Sequence, residues 1–239
     1  MKAIILAAGK GSRISDKIGN IPKSTLKLED GTPLIRREVV NMLERGIKPV
    51  VCVGYMKEHI YEALNGLDVK YYYNPFYSIT NNIVSLWFAR EEFDNEDILL
   101  TSADLYYPGE FLDMCMTSSD SLAMTVDSSR IETGDFYFNV KNGFIQEYGP
   151  HVPLDRRTYE YMGLTKISGE ILMRVRNEVD DYVSKEFFDA YFEDMILSLN
   201  MKERVPIGFI DVKGKYWREL DFYIDYEAII EHERAKGDV

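Results

Sequence analysis

The stretch Leu6-Ala7-Ala8-Gly9-Lys10-Gly11-Ser12-Arg13 closes an apolar run that begins at Ile4. A glycine-rich turn directly after a first strand lets backbone N–H groups approach an anion closely, because glycine has no Cβ and tolerates left-handed backbone. Arg13 adds a planar guanidinium fork suited to phosphate oxygens. Lys23, after Pro22, adds a compact charge on a separate loop. The chemistry these residues serve is phosphate binding. Two common phosphate loops fail. A Walker A loop needs G-x-x-x-x-G-K-[ST], but Gly9 and Gly11 are too close and no Gly-Lys-Ser/Thr follows. A dinucleotide fingerprint, G-x-G-x-x-G, matches Gly9 and Gly11 and fails at Ile14. Glu29-Asp30-Gly31 reads as a turn rather than as the ribose-binding acid of that fingerprint.

Asp104 follows the apolar run Ile98–Ala103. A carboxylate at the carboxyl end of a central parallel strand points into the crevice where open α/β sheets bind ligands. There it suits Mg²⁺, which takes few carboxylates and shares its shell with phosphate oxygens. Asp221, just before the last helical segment, reads by itself as an N-cap, and Asp225 as a solvated first-turn carboxylate. With only three histidines, no Ser-His-Asp or Cys-His arrangement stands out.

The first half of the chain alternates strand and helix. Strands are expected at Lys2–Ala8, Pro49–Val53, Val69–Tyr73 and Asp97–Ser102. Helices are expected at Pro33–Arg45, Lys57–Leu64, Asn81–Phe93 (capped by Thr80) and Gly109–Met116. That alternation implies parallel βαβ units. The second half changes character. Strands are expected at Ser121–Val126, Asp135–Val140, Phe144–Glu147, Tyr161–Ile167, Val205–Val212 and Trp217–Leu220. Helices are expected at Glu170–Val175, Lys185–Leu199 and Tyr223–Arg234. Asn142-Gly143 marks a tight hairpin. The fold class is α/β: a Rossmann-like, mixed, mostly parallel sheet flanked by helices, with a small antiparallel extension. No linker or repeat interrupts the 239 residues. One domain is expected over 1–239, with a nucleotide half to about 120 and an acceptor half after it.

Composition narrows the class. A net charge of −12 argues against a nucleic-acid surface, which needs clustered Lys and Arg. It also makes the few basic residues beside glycines more telling. Cys52 and Cys115 show neither disulfide nor metal spacing, and Cys52 reads as a small buried hydrophobe. The N-terminal apolar run is too short for a signal peptide, and no run approaches a membrane span. A cytoplasmic location, with no membrane partner, is the expectation.

The complete set of apolar strand, Leu-Ala-Ala-Gly-x-Gly-Ser-Arg and Pro22-Lys23 resembles the nucleotidyltransferases that activate sugar phosphates and small phospho-alcohols. Within that family the chain is similar to bacterial choline-phosphate cytidylyltransferases and their phosphonate-activating relatives. The N-terminal loop, Tyr77–Trp87, Asp189–Asp194 and Glu219-Leu220-Asp221 carry the likeness. It implies CTP as donor, a small phospho- or phosphono-amine as acceptor, and Mg²⁺ on Asp104 and Asp221. It implies catalytic roles for Arg13 on the β- and γ-phosphates and Lys23 at the α-phosphorus. Nucleotide contacts are expected from Leu6, Ala7, Ala8, Gly9, Gly11, Ser12, Asn82 and Ser85. Acceptor contacts are expected from Asp135, Asp189, Tyr191 and Phe192, the last two as walls of an aromatic cage. A tryptophan of the choline enzymes aligns with Asp135, a departure that favours a primary ammonium. His151, Arg156 and Arg157 read as a surface loop. A sugar-1-phosphate nucleotidyltransferase and a non-catalytic nucleotide sensor are the alternatives.

Overall fold

The computed structural model describes residues 1–237. Four parallel strands form its N-terminal half: β1 (Lys2–Ala7), β2 (Lys48–Val53), β3 (Lys70–Tyr73) and β4 (Ile98–Ser102), side by side in the order β3-β2-β1-β4. Strands covered on both faces need apolar residues at successive positions, which is why β1 and β2 read as unbroken apolar runs. Alternate side chains enter different cores. Ile4, Leu6, Val50 and Cys52 pack with α3 (Asn82–Phe88), α5 (Leu172–Ser184) and α6 (Phe192–Met201). Ala3, Ile5, Val51 and Val53 pack with α1 (Leu34–Glu44), α2 (Lys57–Ala63) and α4 (Glu110–Thr117). Both cysteines are free and buried.

The second half extends the same sheet. Strands β6 (Leu122–Asp127), β9 (Tyr159–Ile167) and β10 (Gly208–Asp211) continue the order as β4-β9-β6-β10, with β9 antiparallel to both neighbours. Along one edge β9 changes partner. Leu164–Ile167 pair with β4, whereas Tyr159 and Glu160 pair with β7 (Tyr137–Lys141). The Tyr161 N–H still bonds the Phe136 carbonyl beside β7 at 2.8 Å, and Gly163 takes a left-handed φ of 104° at this step. The hairpin from β7 to β8 (Phe144–Gly149) turns on Asn142 (φ 53°) and Gly143 (φ 75°), as the Asn-Gly pair requires. A separate two-stranded ribbon joins β5 (Leu105–Tyr106) to β11 (Arg218–Glu219). It carries the chain back to Asp104 before α7 (Tyr223–Gly237) begins. No helix of the described residues is long and apolar enough to cross a membrane.

Three expectations differ from the structure. Helix α3 is capped by Asn81, whose side chain accepts from the Asn82 N–H. Thr80 instead bonds within the preceding loop, donating to the Phe76 carbonyl and accepting from Asn74. Helix α3 ends at Phe88, with a separate 3-10 turn at Arg90–Glu92. The segment expected to be helical from Lys185 is not helical until Phe192, while α5 continues to Ser184 rather than stopping at Val175. The cause is a Schellman stop. Glu186 adopts φ 63°, its N–H bonds the Val183 carbonyl, and the Phe187 N–H bonds that of Tyr182. The Phe187 ring packs edge-on to Tyr182 at 5.7 Å, completing the motif. Glycine usually occupies this left-handed position, and its absence hid the stop.

Candidate active site

A cleft of about 890 Å³ lies where β1 and β4 end and β9 changes partner. The loop after β1 forms one wall. Gly11 has φ 62°, and its carbonyl accepts from the N–H groups of Ile14 and Ser15. A Cβ at Gly11 would press on the Lys23 side chain at 3.3 Å. Gly54, after β2, backs this wall: the next N–H, of Tyr55, bonds the Ala8 carbonyl at 3.0 Å. A Cβ at Gly54 would lie 2.7 Å from that same oxygen. Leu6, Ala7, Ala8, Gly9, Gly11, Ser12 and Arg13 all line the cleft.

Opposite stand the carboxylates. Lys23 Nζ lies 2.6 Å from Asp104 Oδ2 and 2.6 Å from Asp221 Oδ1, and Arg13 pairs with the other oxygen of Asp221. Burial alone would lower the Lys23 pKa; the two aspartates outweigh it and hold the ammonium well above its ordinary value. Asp104 Oδ1 is buried with no hydrogen-bond partner. The Asp104 carbonyl accepts from the Leu220 N–H at 2.8 Å, fixing the C-terminal segment beside it. Behind Asp104, buried Glu38 of α1 accepts from the Tyr107 hydroxyl at 3.1 Å, and burial pushes Glu38 up to about 8.

The residue read as a cap and the residue read as solvated exchange roles. The Asp225 carboxylate accepts from the N–H groups of Asp221 (3.2 Å) and Phe222 (2.7 Å) and pairs with Arg218. Asp221 is thereby released from capping and turns to Lys23. Glu219 joins it. These two residues flank buried Leu220 and so point the same way. Among the described residues, Asp104, Glu219 and Asp221 each offer a carboxylate oxygen, all within 4.8 Å of one another. Glu219 opens onto the cleft. Desolvation within the cleft, then the charges of Asp104 and Asp221, push its carboxyl above the ordinary range. Three hard oxygen donors, one aspartate oxygen lacking a partner and a cation already drawn between two of them fit a divalent ion such as Mg²⁺.

The remaining expected residues divide. Asn82 and Ser85 line the cleft but also serve the fold. Asn82 Oδ1 accepts from the Phe192 N–H at 2.7 Å, and buried Ser85 accepts from Asn74 at 3.0 Å. Asp135 and half-exposed Tyr191 line the far end. Phe192 does not reach it: as the first residue of α6 it turns inward and is fully buried. Asp189 is exposed outside the cleft, and only its carbonyl is engaged, by Asn81. Arg156 pairs with Glu147, Arg157 staples the carbonyls of Val152 and Ile131, and His151 is exposed. Sequence reasoning missed Glu219, Tyr161 and Glu193, all of which line the cleft. The Glu219-Leu220-Asp221 alternation was the signal for Glu219, and Glu193 lay within the Asp189–Asp194 stretch that carries the likeness. Tyr161 and Glu193 depend on the strand switch and on the start of α6.

A strand, a glycine loop with Arg13, a Lys23 bridging two aspartates and a crevice at the strand ends form a nucleotide-handling site. Residues 3–133 match the family model of the MobA-like NTP transferase domain. The chain belongs to this family. As a MobA-like nucleotidyltransferase it is similar along 97% of its length to two bacterial proteins. One is the CTP:phosphoglutamine cytidylyltransferase of Campylobacter jejuni, 27% identical with all of that protein covered. The other is the choline-phosphate cytidylyltransferase of Streptococcus pneumoniae, 26% identical with 97% of it covered. Its fold matches the solved CTP:phosphocholine cytidylyltransferase of S. pneumoniae with a TM-score of 0.77, at 23% identity over 97% of this chain and 98% of that one. It also matches the inositol-1-phosphate CTP transferase of T. maritima with a TM-score of 0.77, at 18% identity over 96% and 94%.

Proposed function

We propose that this nucleotidyltransferase moves CMP from CTP to a small phosphorylated or phosphonate amine and releases pyrophosphate. The observation that carries the reading is Lys23, set 2.6 Å from both Asp104 and Asp221 beside the glycine loop. The names of the two full-length relatives support CTP as donor. The glycine loop's N–H groups and Arg13 would hold the β- and γ-phosphates. An oxygen of the acceptor's phosphate or phosphonate attacks the α-phosphorus in line, forming the new P–O bond while the α–β bridge breaks and its electron pair leaves with pyrophosphate. That oxygen is anionic at neutral pH, so no general base is needed. Lys23 neutralises charge at the α-phosphate as it redistributes. Mg²⁺, held by Asp104 and Asp221 with Glu219 adjoining, would supply charge shielding between donor and acceptor. The carboxylates and aromatic rings at the far end of the cleft suit an amine better than a sugar. Pyrophosphate release from CTP, UTP, dTTP and ATP, each against 2-aminoethylphosphonate, choline phosphate and a hexose 1-phosphate, tests the reading. Turnover with CTP and an amine acceptor is expected. A preference for the sugar phosphate, or no release with any pair, overturns it.

A further inference from the structure

Charge is distributed unevenly along the cleft. Among its described lining residues, Arg13 and Lys23 are the only basic ones, and both sit at the glycine-loop end against Asp221 and Asp104. The far end carries Glu193 on α6 and Asp135 with the rings of Phe136, Tyr161 and Tyr191. Glu193 differs from its acidic neighbour Asp194. Asp194 closes the start of α6 by accepting from the Tyr191 N–H at 2.9 Å. Glu193 faces the cleft, and its Oε2 is buried with no hydrogen-bond partner. Its position is set from below: Asn82 Oδ1 holds the Phe192 N–H at 2.7 Å, so the first turn of α6 cannot rotate freely. Desolvation pushes the Glu193 carboxyl up to about 8, with nearby Asp194 adding to it and the Asn82 side chain opposing it. Tyr161 is close enough to feel its charge. A buried acceptor atom without a donor is costly to the protein alone and is relieved by a ligand that brings one.

Resting on the transfer reading above, we propose that Glu193 is a specificity-determining residue that receives the acceptor's ammonium, and that this acceptor bears N–H donors and no carboxylate at the end remote from its phosphorus. A trimethylammonium has no N–H to give and leaves Oε2 unpaired. A carboxylate beside the amine, as in an amino acid, would meet Glu193 and Asp135 with no basic residue of that end to balance it. A primary ammonium satisfies the oxygen through a charge-assisted bond, with the aromatic rings flanking it.

The test compares 2-aminoethylphosphonate with ethylphosphonate, which lacks the amine, and with choline phosphate. Binding is measured by calorimetry on the full chain with Mg²⁺ and a non-hydrolysable CTP analogue, beside pyrophosphate release with CTP. The wild type should favour the primary amine over both analogues. Glu193→Gln should cut its preference over ethylphosphonate by about ten- to hundredfold, and Glu193→Asp should restore part of it. Retained binding of the CTP analogue reports that each variant is folded. An amine preference identical in wild type and Glu193→Gln, a wild type that favours choline phosphate, or binding of none of the three overturns the inference. Glu193-dependent binding without pyrophosphate release from any acceptor would instead overturn the transfer reading alone.

Discussion

The two walls of the cleft are built in opposite ways. On the nucleotide side, parallel strands β1 and β4 end together, and the residues that would touch phosphate, Lys23 apart, lie in one short loop. On the acceptor side, antiparallel β9 trades β4 for β7, and Asp135, Tyr161 and Glu193 come from separate elements. A wall made by one local turn depends on a few backbone angles. A wall made by long-range pairing depends on where strands switch and helices start. The first should fail through chemistry when altered, and the second through positioning.

The largest effect belongs to the nucleotide side. Asp104→Asn keeps the shape of the side chain but removes the charge that a divalent ion and Lys23 both need. Turnover should fall by roughly 10²–10³-fold or more with the thermal midpoint preserved. Near-normal kcat in Mg²⁺ would break the assignment. Lys23→Ala comes next. It should lower kcat about a hundredfold while weakening CTP binding less, because the ammonium matters most as charge shifts at the α-phosphate. Loss confined to CTP affinity would make Lys23 a ground-state contact only.

Stability offers a third comparison. Glu38, buried beneath Asp104 and facing Tyr107 and Arg37, is raised to about 8 chiefly by burial. A carboxyl raised on folding binds its proton more tightly in the native state. Its contribution is fully present below the unfolded pKa, near 4.5, and is lost as pH climbs through about 8. Between pH 5 and 8 the wild type should lose of order a few kcal/mol that Glu38→Gln does not lose. Parallel melting curves for the two proteins would show that Glu38 is not the buried acid responsible.

These contrasts explain what the sequence made legible. The apolar runs of β1, β2 and β4 and the Gly9–Arg13 loop were readable because their cause is local. Asn142-Gly143 was readable for the same reason. The stop of α5 was not, since Glu186 occupies a left-handed position without being glycine. Phe192 was expected in the cleft on the family resemblance; α6 begins at that residue and turns it into the core, and Glu193 is the one that reaches the cleft. Asp221 and Asp225 could not be told apart from spacing alone, because which one caps α7 is decided by Arg218 and Lys23.

On the acceptor side the expected effects are smaller and positional. A Cβ at Gly134 would come within 2.1 Å of the Glu160 carboxylate. Glu160 in turn holds the Asp135 N–H at 3.1 Å and pairs with Arg130 at 2.7 Å. Gly134→Ala should therefore cost about 1–3 kcal/mol of stability through overpacking. It should also raise KM for the acceptor while leaving KM for CTP in place. Equal changes in both constants would mean that the two walls are not independent.

The smallest effect tests the join between the walls. Asp225 lies on α7, far along the chain from the glycine loop, yet it decides where Asp221 points. Its carboxylate takes the N–H groups of Asp221 and Phe222 and the Arg218 guanidinium. Asp225→Ala removes the cap and should cost about 1 kcal/mol. Asp225→Asn keeps an accepting oxygen for those N–H groups and should recover most of that stability, while the weakened Arg218 pair remains. If the cap also frees Asp221 for the site, Asp225→Ala should raise the Mg²⁺ concentration needed for half-maximal activity, and Asp225→Asn should raise it less. Without Asp225 the N–H groups of Asp221 and Phe222 lose their acceptor, and the segment that carries Asp221 is held less firmly. A Mg²⁺ requirement unchanged in Asp225→Ala, alongside the expected loss of stability, would show that Asp221 keeps its direction through Lys23 and Arg13 alone.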